Sequence, residues 1–254
     1  MTSESKKSVL TIAGLGSGKS SQITAEVLEA LKICDCVAGY ETYINLLKQN
    51  FSDDWISKKE FLSTPMRKEE ERCRLALEKA DSGKNVLFVC SGDAGVYGLS
   101  GLIYEMSADF PNVEISVLPG ITAALSGAAL LGAPLIHDFA VISLSDRLTG
   151  WETISRRLDL AAKADLSIVL YNPASKGRPD HLRKACDILL RTLPPERPCG
   201  IARAIGREGE AGQVLTLGEL RGTDVDMFCT VFIGNSMTKV VSGKLLTPRG
   251  YRYA

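Results

Sequence analysis

The fold is indicated first by Val9-Leu-Thr-Ile-Ala-Gly-Leu-Gly-Ser-Gly-Lys-Ser20, where an apolar run breaks at a glycine-rich turn. Ile23, Val27 and Leu31 then recur at helical spacing, which predicts a strand, a turn and a helix in that order. Further strands followed by turns are predicted at Asn85–Cys90 and Val113–Val117. A helix of small residues over 122–131 follows the second of them. Such alternation predicts a mainly parallel sheet with helices on its faces.

The spacing of strands changes after Gly132-Ala-Pro134, which marks a junction. Two strands with helices follow, and then three strand-like runs with few helical signals between them. The strands are predicted over Phe139–Ser143, Leu166–Leu170, Cys199–Ala204, Gly212–Leu217 and Phe228–Gly234, and the helices over Trp151–Ala164 and Pro179–Arg191. Closely spaced strands favour antiparallel pairing. We therefore expect two α/β domains with a cleft between them: 1–133 with a mainly parallel sheet and 134–254 with a mixed sheet.

The composition of the 254 residues excludes several classes of protein. Thirty Lys and Arg balance thirty Asp and Glu, which argues against a nucleic-acid binder. We expect no membrane span and no signal peptide before the first strand. The seven cysteines are scattered without a CxxC pair, and the two histidines are His137 and His181, so neither a disulfide framework nor a protein metal site is expected. The composition predicts a cytoplasmic protein.

The first turn also satisfies the relaxed nucleotide P-loop pattern, because Gly18-Lys19-Ser20 ends it and a helix is predicted to follow. In a P-loop, backbone amides and the lysine would surround the phosphates. The second half of the chain, however, offers no apolar run that ends in a magnesium-binding aspartate, and Gly14 and Gly16 suit a tight turn equally well. A nucleotide-binding or nucleotide-sensing protein therefore stands as an alternative of a different class.

Three further loops follow predicted strands, at the ends where open α/β sheets bind ligands. They are Ser91-Gly-Asp-Ala-Gly-Val-Tyr-Gly98, Pro119-Gly-Ile-Thr-Ala123 and Tyr171-Asn-Pro173. Asp93 is the only charged residue of the first of these loops. It either faces a ligand or caps the helix that follows.

Taken in order, these loops resemble the tetrapyrrole methyltransferase family over nearly the whole chain. The shared motifs are Gly14–Gly18, Gly92-Asp93, Pro119–Ala123 and Thr230-Val-Phe-Ile-Gly234. The branch that it most resembles methylates carbon 17 of precorrin-3B or cobalt-factor III, and the motifs that carry this are Val37–Tyr43, Ser91–Gly95, Leu170–Ser175, Gly206–Glu210, Gly234–Ser236 and Thr247–Tyr251. Another corrinoid-pathway methyltransferase of the same family is the alternative.

The resemblance implies an S-adenosylmethionine-dependent C-methyltransferase of cobalamin biosynthesis, with ring contraction accompanying the methylation. It implies a homodimer and a cofactor folded between the two domains. The cofactor residues carried over are Gly92, Asp93, Val96, Thr122, Ala123, Tyr171, Asn172, Ala202 and Thr230. No general acid or base for ring contraction stands out among Tyr40, Glu41 and Asp93.

The substrate's many carboxylate arms call for basic partners, for which the candidates are Arg67, Arg72, Arg203 and Arg207. Ser17 and Lys19 join them, because the first glycine loop of relatives faces the tetrapyrrole. These two residues depart from the family pattern Gly-x-Gly-Pro-Gly and produce the P-loop likeness by chance. A second departure is Thr64-Pro65-Met66-Arg67, where a glycine is expected before the methionine.

Overall fold

Strands and helices alternate through the first half of the computed structural model, which describes residues 8–51 and 54–251. The first compact unit is Met1–Thr122. Its strands are β1 (Ser8–Gly14), β2 (Cys36–Tyr40), β3 (Glu60–Thr64), β4 (Val86–Cys90) and β5 (Val113–Leu118). Its helices are α1 (Ala25–Ile33), α2 (Glu41–Asn50), α3 (Asp54–Ser57), α4 (Glu69–Asp81) and α5 (Ser100–Met106), with short 3₁₀ turns at Ser20–Gln22 and Ser107–Asp109.

The five strands form one sheet in the order β3-β2-β4-β1-β5, and every pairing in it is parallel. This confirms the predicted parallel sheet. Because the strands run in one direction, their carboxyl ends share one edge of the sheet, where Tyr40 pairs with Thr64 and Gly14 pairs with Cys90. We call this row of strand ends the carboxyl edge.

The alternation of side chains along β4 explains why helices cover both faces of this sheet. Val86 and Phe88 pack in the cluster that contains α4, whereas Leu87 and Val89 pack in the cluster that contains α1 and α2. All five residues of β4 are buried, as is typical of a central parallel strand.

The second compact unit is Ala123–Ala254. Its helices are α6 (Ala123–Leu131), α7 (Trp151–Lys163), α8 (His181–Leu189) and α9 (Leu217–Leu220). Its strands are β6 (Gly132–Ala133), β7 (Phe139–Ser143), β8 (Ser167–Tyr171), β9 (Pro198–Arg203), β10 (Ala211–Thr216), β11 (Cys229–Ile233), β12 (Lys239–Val241) and β13 (Lys244–Leu246).

The main sheet of this unit has the order β10-β9-β11-β8-β7, in which β7 and β8 are parallel and the other pairings are antiparallel. The predicted mixed sheet is confirmed. Val169 and Phe232 pack with α6 on one face, and Ile168 and Leu170 pack with α7 and α8 on the other. A further sheet, β12-β13-β6, was not predicted.

The two compact units divide at Thr122, whereas the sequence placed the junction after residue 133. The difference is α6, which was assigned to the first domain. Gly127 of α6 lies so close to the second sheet that a Cβ there would stand 2.8 Å from Phe232 Cζ and 3.0 Å from Ala202 Cβ. The absence of a side chain at Gly127 lets α6 pack closely on this sheet, and α6 therefore folds with the second unit.

None of the helices within residues 8–51 and 54–251 has the length and apolar character that crossing a bilayer requires.

Candidate functional site

Three glycines meet at the carboxyl edge of the first sheet. Gly14 ends β1, and Gly92 and Gly120 lie two residues beyond β4 and β5. A Cβ on Gly120 would stand 2.1 Å from Gly92 O, and a Cβ on Gly14 would stand 2.5 Å from the same oxygen. No side chain fits at such separations, so the three loops touch through their backbones. We call this contact the glycine junction.

Hydrogen bonds extend the pairing of β1 and β4 into the glycine junction. Leu15 N donates to Cys90 O at 2.8 Å, Gly16 N donates to Gly92 O at 3.0 Å, and Gly92 N donates to Gly16 O at 2.7 Å. Gly16 and Gly92 have φ values of 61° and 64°, which glycine adopts without strain. The first glycine loop is therefore tied to the Gly92-Asp93 loop.

The carboxylate of Asp93 connects the loop after β5 to the loop after β4. Its Oδ1 accepts hydrogen bonds from Gly95 N at 2.8 Å and Val96 N at 3.1 Å, and its Oδ2 accepts one from Gly120 N at 2.9 Å. The helix-cap alternative for Asp93 is wrong, because α5 begins at Ser100 and its N-cap residue is Leu99. Asp93 instead holds its own loop in shape and anchors the loop after β5.

The geometry of the first glycine turn contradicts the P-loop alternative. Its amides are engaged internally: Gly16 N on Gly92 O, Gly18 N on Leu15 O at 3.2 Å, and Lys19 N on Ser17 Oγ at 3.3 Å. The Ser17 hydroxyl also hydrogen-bonds to the Gln22 side chain. A short 3₁₀ turn follows Lys19 in place of an α-helix. The amides of Gly16, Gly18 and Lys19 are therefore not free to bind a phosphate.

Arg72 lies at the other end of the same edge. It was predicted as a candidate partner for substrate carboxylates, and its side chain is buried, with 5 % exposure. Nη1 donates to Thr64 Oγ1 at 2.6 Å and to the carbonyl oxygens of Pro65 and Thr64 at 3.3 and 3.4 Å. The guanidinium carbon lies 5.8 Å from the Tyr40 ring centre. Arg67, by contrast, is exposed and has a φ of 71°.

In the second unit, the predicted cofactor residues Ala123, Tyr171 and Asn172 lie together. The Tyr171 hydroxyl accepts the N–H of Ala124, in the first turn of α6, at 2.6 Å. Asn172 has a φ of 53° and donates through Nδ2 to Ser143 Oγ at 3.0 Å. Since β7 and β8 are parallel, these bonds join the carboxyl ends of both strands to the start of α6.

Ala202 and Thr230 face each other across the pairing of β9 and β11. Both are buried, and the Ala202 side chain packs with α6. A ligand would therefore meet Ala202 through its main chain. The two remaining arginine candidates have partners within the unit: Arg203 bonds to Asp226 Oδ2 and Asp224 O, each at 3.2 Å, and Arg207 lies over the Phe228 ring at 5.2 Å.

A cluster of three charged or titratable side chains near the end of β7 was not predicted from the sequence. Buried His181 contacts Asp146 Oδ2 through Nε2 at 3.1 Å, and Arg178 lies 3.7 Å from Asp146 Oδ1. The contact with His181 lowers the pKa of Asp146 below its ordinary value. Asp146 follows β7, whereas Arg178 and His181 lie just before and at the start of α8, so no spacing in the sequence reveals that Asp146 meets them.

All seven cysteines are free and buried. Burial raises the pKa of Cys73 to about 12 and that of Cys90, at the end of β4, to about 11. These thiols are therefore protonated at neutral pH. In the part of the chain that the structure describes, no group of three or more His, Cys, Asp or Glu side chains is arranged to hold a metal ion.

Comparison with known proteins identifies relatives that cover the full site. The family model for tetrapyrrole (corrin/porphyrin) methylases matches residues 9–221. A probable cobalt-factor III C(17)-methyltransferase of Salmonella typhimurium is 43 % identical over 244 residues, which are 96 % of this chain and 99 % of the relative. A precorrin-3B C(17)-methyltransferase of a Sinorhizobium species is 39 % identical over 251 residues, 95 % of this chain and 96 % of the relative.

Among solved structures, the crystal structure of the methyltransferase CobJ matches with a TM-score of 0.86 at 35 % identity and covers 95 % of this chain and 100 % of that one. Some curated relatives are longer: the chain spans 46 % and 52 % of two of them.

Proposed function

The chain belongs to the tetrapyrrole (corrin/porphyrin) methylase family, and we propose that it transfers a methyl group from S-adenosylmethionine to carbon 17 of a corrin precursor in cobalamin biosynthesis. The observation that carries the proposal is the similarity to C(17)-methyltransferases over nearly the full length of both chains. The substrate is precorrin-3B or cobalt-factor III, and ring contraction accompanies the methylation. The predicted homodimer and cytoplasmic location stay predictions.

The carboxyl edge of the first sheet suits this cofactor better than a nucleotide with several phosphates. The exposed residues of the loop after β4 are Ser91, Gly95 and Tyr97, which carry no charge. The amides of Gly95, Val96 and Gly120 are already bound to Asp93. A loop whose exposed residues are uncharged fits a nucleoside, whereas a polyphosphate would need open amides and cations.

We assign the cofactor to the residues that the family resemblance carries over, and Asp93 would fix the loop after β4. The other residues are Gly92, Val96, Thr122, Ala123, Tyr171, Asn172, Ala202 and Thr230. When bound, the cofactor supplies an electrophilic methyl group on a positively charged sulfur.

The protein's own contribution is position rather than acid–base chemistry. A substrate carbon that is already nucleophilic reacts when donor and acceptor are held in line, so orientation accounts for the rate. The glycine junction and the Asp93 carboxylate fix three loops before any ligand arrives. Cys90 lies beside them but remains a thiol at neutral pH, and it therefore does not compete for the methyl group.

Substrate carboxylates would bind to basic and polar side chains. The candidates are Ser17, Lys19, Arg67, Arg72, Arg203 and Arg207. Since Arg203 already has a carboxylate partner in Asp226, it offers less to a ligand than an unpaired cation does.

Calorimetry and a methyl-transfer assay test the proposal. We expect the purified protein to bind S-adenosylhomocysteine and to leave Mg-ATP unbound. With S-adenosylmethionine and the tetrapyrrole precursor, mass spectrometry should show one added methyl group, located at carbon 17 by NMR. Magnesium-dependent ATP binding without a response to S-adenosylhomocysteine would contradict the proposal, and methylation at another carbon would correct the site of transfer.

A further inference from the structure

Arg72 is a buried cation. It lies on the first turn of α4 with 5 % exposure. Within residues 8–51 and 54–251, no carboxylate forms an ion pair with it, and its Nε is buried without a hydrogen-bond partner. A buried charge is costly unless it is paired and fully hydrogen-bonded. The three oxygens bound to Nη1 are neutral dipoles and supply only part of that compensation.

The two thiols on which Arg72 acts, those of Cys73 and Cys90, do not supply an opposing negative charge. Arg72 acts electrostatically on Cys73 and Cys90 and lowers the pKa of both thiols. Burial outweighs this effect, and the pKa values rise to about 12 and about 11, so both side chains are neutral at physiological pH. The Tyr40 ring, 5.8 Å away, contributes a cation–π contact. The guanidinium thus contacts three neutral oxygens and one aromatic ring.

The position of Arg72 places this charge at the carboxyl edge of the first sheet. Thr64, Tyr40 and Cys90 end β3, β2 and β4, which are neighbours in the sheet. The glycine junction covers the next strand ends, those of β4, β1 and β5. Arg72 therefore lies at the β3-β2-β4 half of the carboxyl edge, and the glycine junction lies at the β4-β1-β5 half.

We propose that Arg72 is the primary carboxylate-binding residue of the first unit and takes one acid side chain of the tetrapyrrole beside the cofactor loops. This inference rests on the proposed function for the identity of the ligand. The planar guanidinium suits a carboxylate through paired N–H donors. Thr64 and Pro65 hold Nη1 and so fix the orientation of the fork before the ligand binds. Binding a carboxylate would neutralise a charge that the folded protein otherwise leaves unpaired.

A matched pair of charge-removing variants tests the assignment. Arg72→Gln removes the buried cation, and Arg74→Gln removes an exposed cation two residues along the same helix, where it lies 3.7 Å from Asp109. Uroporphyrin, a stable macrocycle with eight carboxylates, serves as the probe in a fluorescence titration. We expect Arg72→Gln to weaken its binding by about 10-fold or more, as for a lost hydrogen bond between charged groups. Arg74→Gln should change it by less than about 2-fold.

Calorimetry with S-adenosylhomocysteine separates this inference from the proposed function. Both variants should bind it as the wild type does. Suppose that the wild type binds both ligands and that folded Arg72→Gln binds uroporphyrin equally well. Arg72 then only holds the Thr64-Pro65 turn, and the inference is overturned while the proposed function stands. If the wild type binds no porphyrin, the tetrapyrrole substrate fails and the inference fails with it.

A measurement on the wild-type protein covers the case in which Arg72→Gln does not fold. The Arg72 Nε–H signal in ¹H–¹⁵N spectra is assigned from its absence in Arg72→Lys. Adding uroporphyrin should shift this signal, and the Arg74 Nε–H signal should stay in place. A stationary Arg72 signal at saturating porphyrin would overturn the inference. Thr64→Val, which removes the 2.6 Å contact but keeps the cation, should retain most of the porphyrin affinity.

Discussion

The loops that follow the strands are held by different means in the two units. In the first unit, Gly14, Gly92 and Gly120 bring three loops into backbone contact, and one carboxylate joins them. In the second unit, the ends of β7 and β8 are joined to each other and to α6 by side chains, through Asn172 on Ser143 and Tyr171 on the Ala124 amide. A backbone junction allows no added atom, whereas a side-chain contact can be removed one hydrogen bond at a time.

The largest expected effect follows from adding one methyl group to the glycine junction. In Gly120→Ala, the new Cβ would lie 2.1 Å from Gly92 O and 2.5 Å from Gly14 O, so the loops must separate. We expect the free energy of unfolding to fall by roughly 3 kcal/mol, with loss of S-adenosylhomocysteine binding. Urea denaturation measures the first quantity and calorimetry the second.

Gly101→Ala is the control for Gly120→Ala. Gly101 lies in α5, and nothing beyond the adjoining helix backbone lies within 4 Å of the position that a Cβ would take there. Alanine at this position should stabilise the protein by about 0.5–1 kcal/mol. If Gly120→Ala is as stable as the wild type, the three loops do not touch as described.

The next largest loss of stability is expected on removing the Asp93 carboxylate, which bonds to the glycine junction. Asp93→Ala releases three backbone amides, and we expect a loss of about 2 kcal/mol of stability. The affinity for S-adenosylmethionine should also fall, by about 1.5–3 kcal/mol. A side chain that only contacted the cofactor would lower affinity alone, and a helix cap would lower stability alone. Thermal unfolding and calorimetry on the same variant separate the three roles.

The opposite edge of the same sheet supplies the control for Asp93. Asp35 Oδ2 accepts the Asn85 amide at 2.8 Å, before β2 and β4 begin. Asp35→Ala should lower stability but leave cofactor affinity as it is, because the amino ends of the strands lie away from the ligand loops. Equal losses of affinity in both variants would show that the effect of Asp93 is general destabilisation.

The contrast between backbone contacts and side-chain contacts also explains which features could be predicted from the sequence. Glycines that directly follow apolar runs are visible, so the loops at Gly14, Gly92 and Gly120 and the parallel sheet were predictable. The pairing of Asp93 with Gly120 was not, because it joins residues 27 positions apart through a loop geometry that no spacing encodes. The same holds for Asp146 and His181. Arg72 was predicted for its charge, whereas its burial depends on how α4 packs beside β3.

In the second unit, the expected effect of a single change is smaller. Tyr171→Phe removes the hydroxyl that accepts the Ala124 amide at 2.6 Å and leaves the aromatic ring. We expect a loss of about 1 kcal/mol, measured by urea denaturation, with a modest fall in cofactor affinity. Tyr104→Phe, at a tyrosine with 52 % exposure, is the control and should change neither quantity. Equal stability of the two variants would show that the hydroxyl does not hold α6.

Side-chain contacts also make the stability of the second unit sensitive to acid. His181 lowers the pKa of Asp146 below its ordinary value of 3.8. The stabilisation is therefore complete above that ordinary value and is lost as the pH falls through the lower, folded-state value. Between about pH 5 and pH 2, the wild type should lose more stability than Asp146→Asn in thermal unfolding. Parallel curves for the two proteins would mean that the contact with His181 does not favour the ionised carboxylate.

The smallest effect is expected at Lys19, the residue that produces the P-loop likeness. The amides of Gly16, Gly18 and Lys19 are engaged within the first unit, so the loop lacks the open donors with which a P-loop lysine would cooperate. Lys19→Ala should leave S-adenosylhomocysteine affinity within about 2-fold of the wild type and lower uroporphyrin affinity by at most about 3-fold, since exposed ion pairs contribute little. Lys84→Ala, at an exposed lysine near the amino edge, should change neither affinity. A large loss of cofactor affinity in folded Lys19→Ala would mean that the first glycine loop binds the cofactor directly.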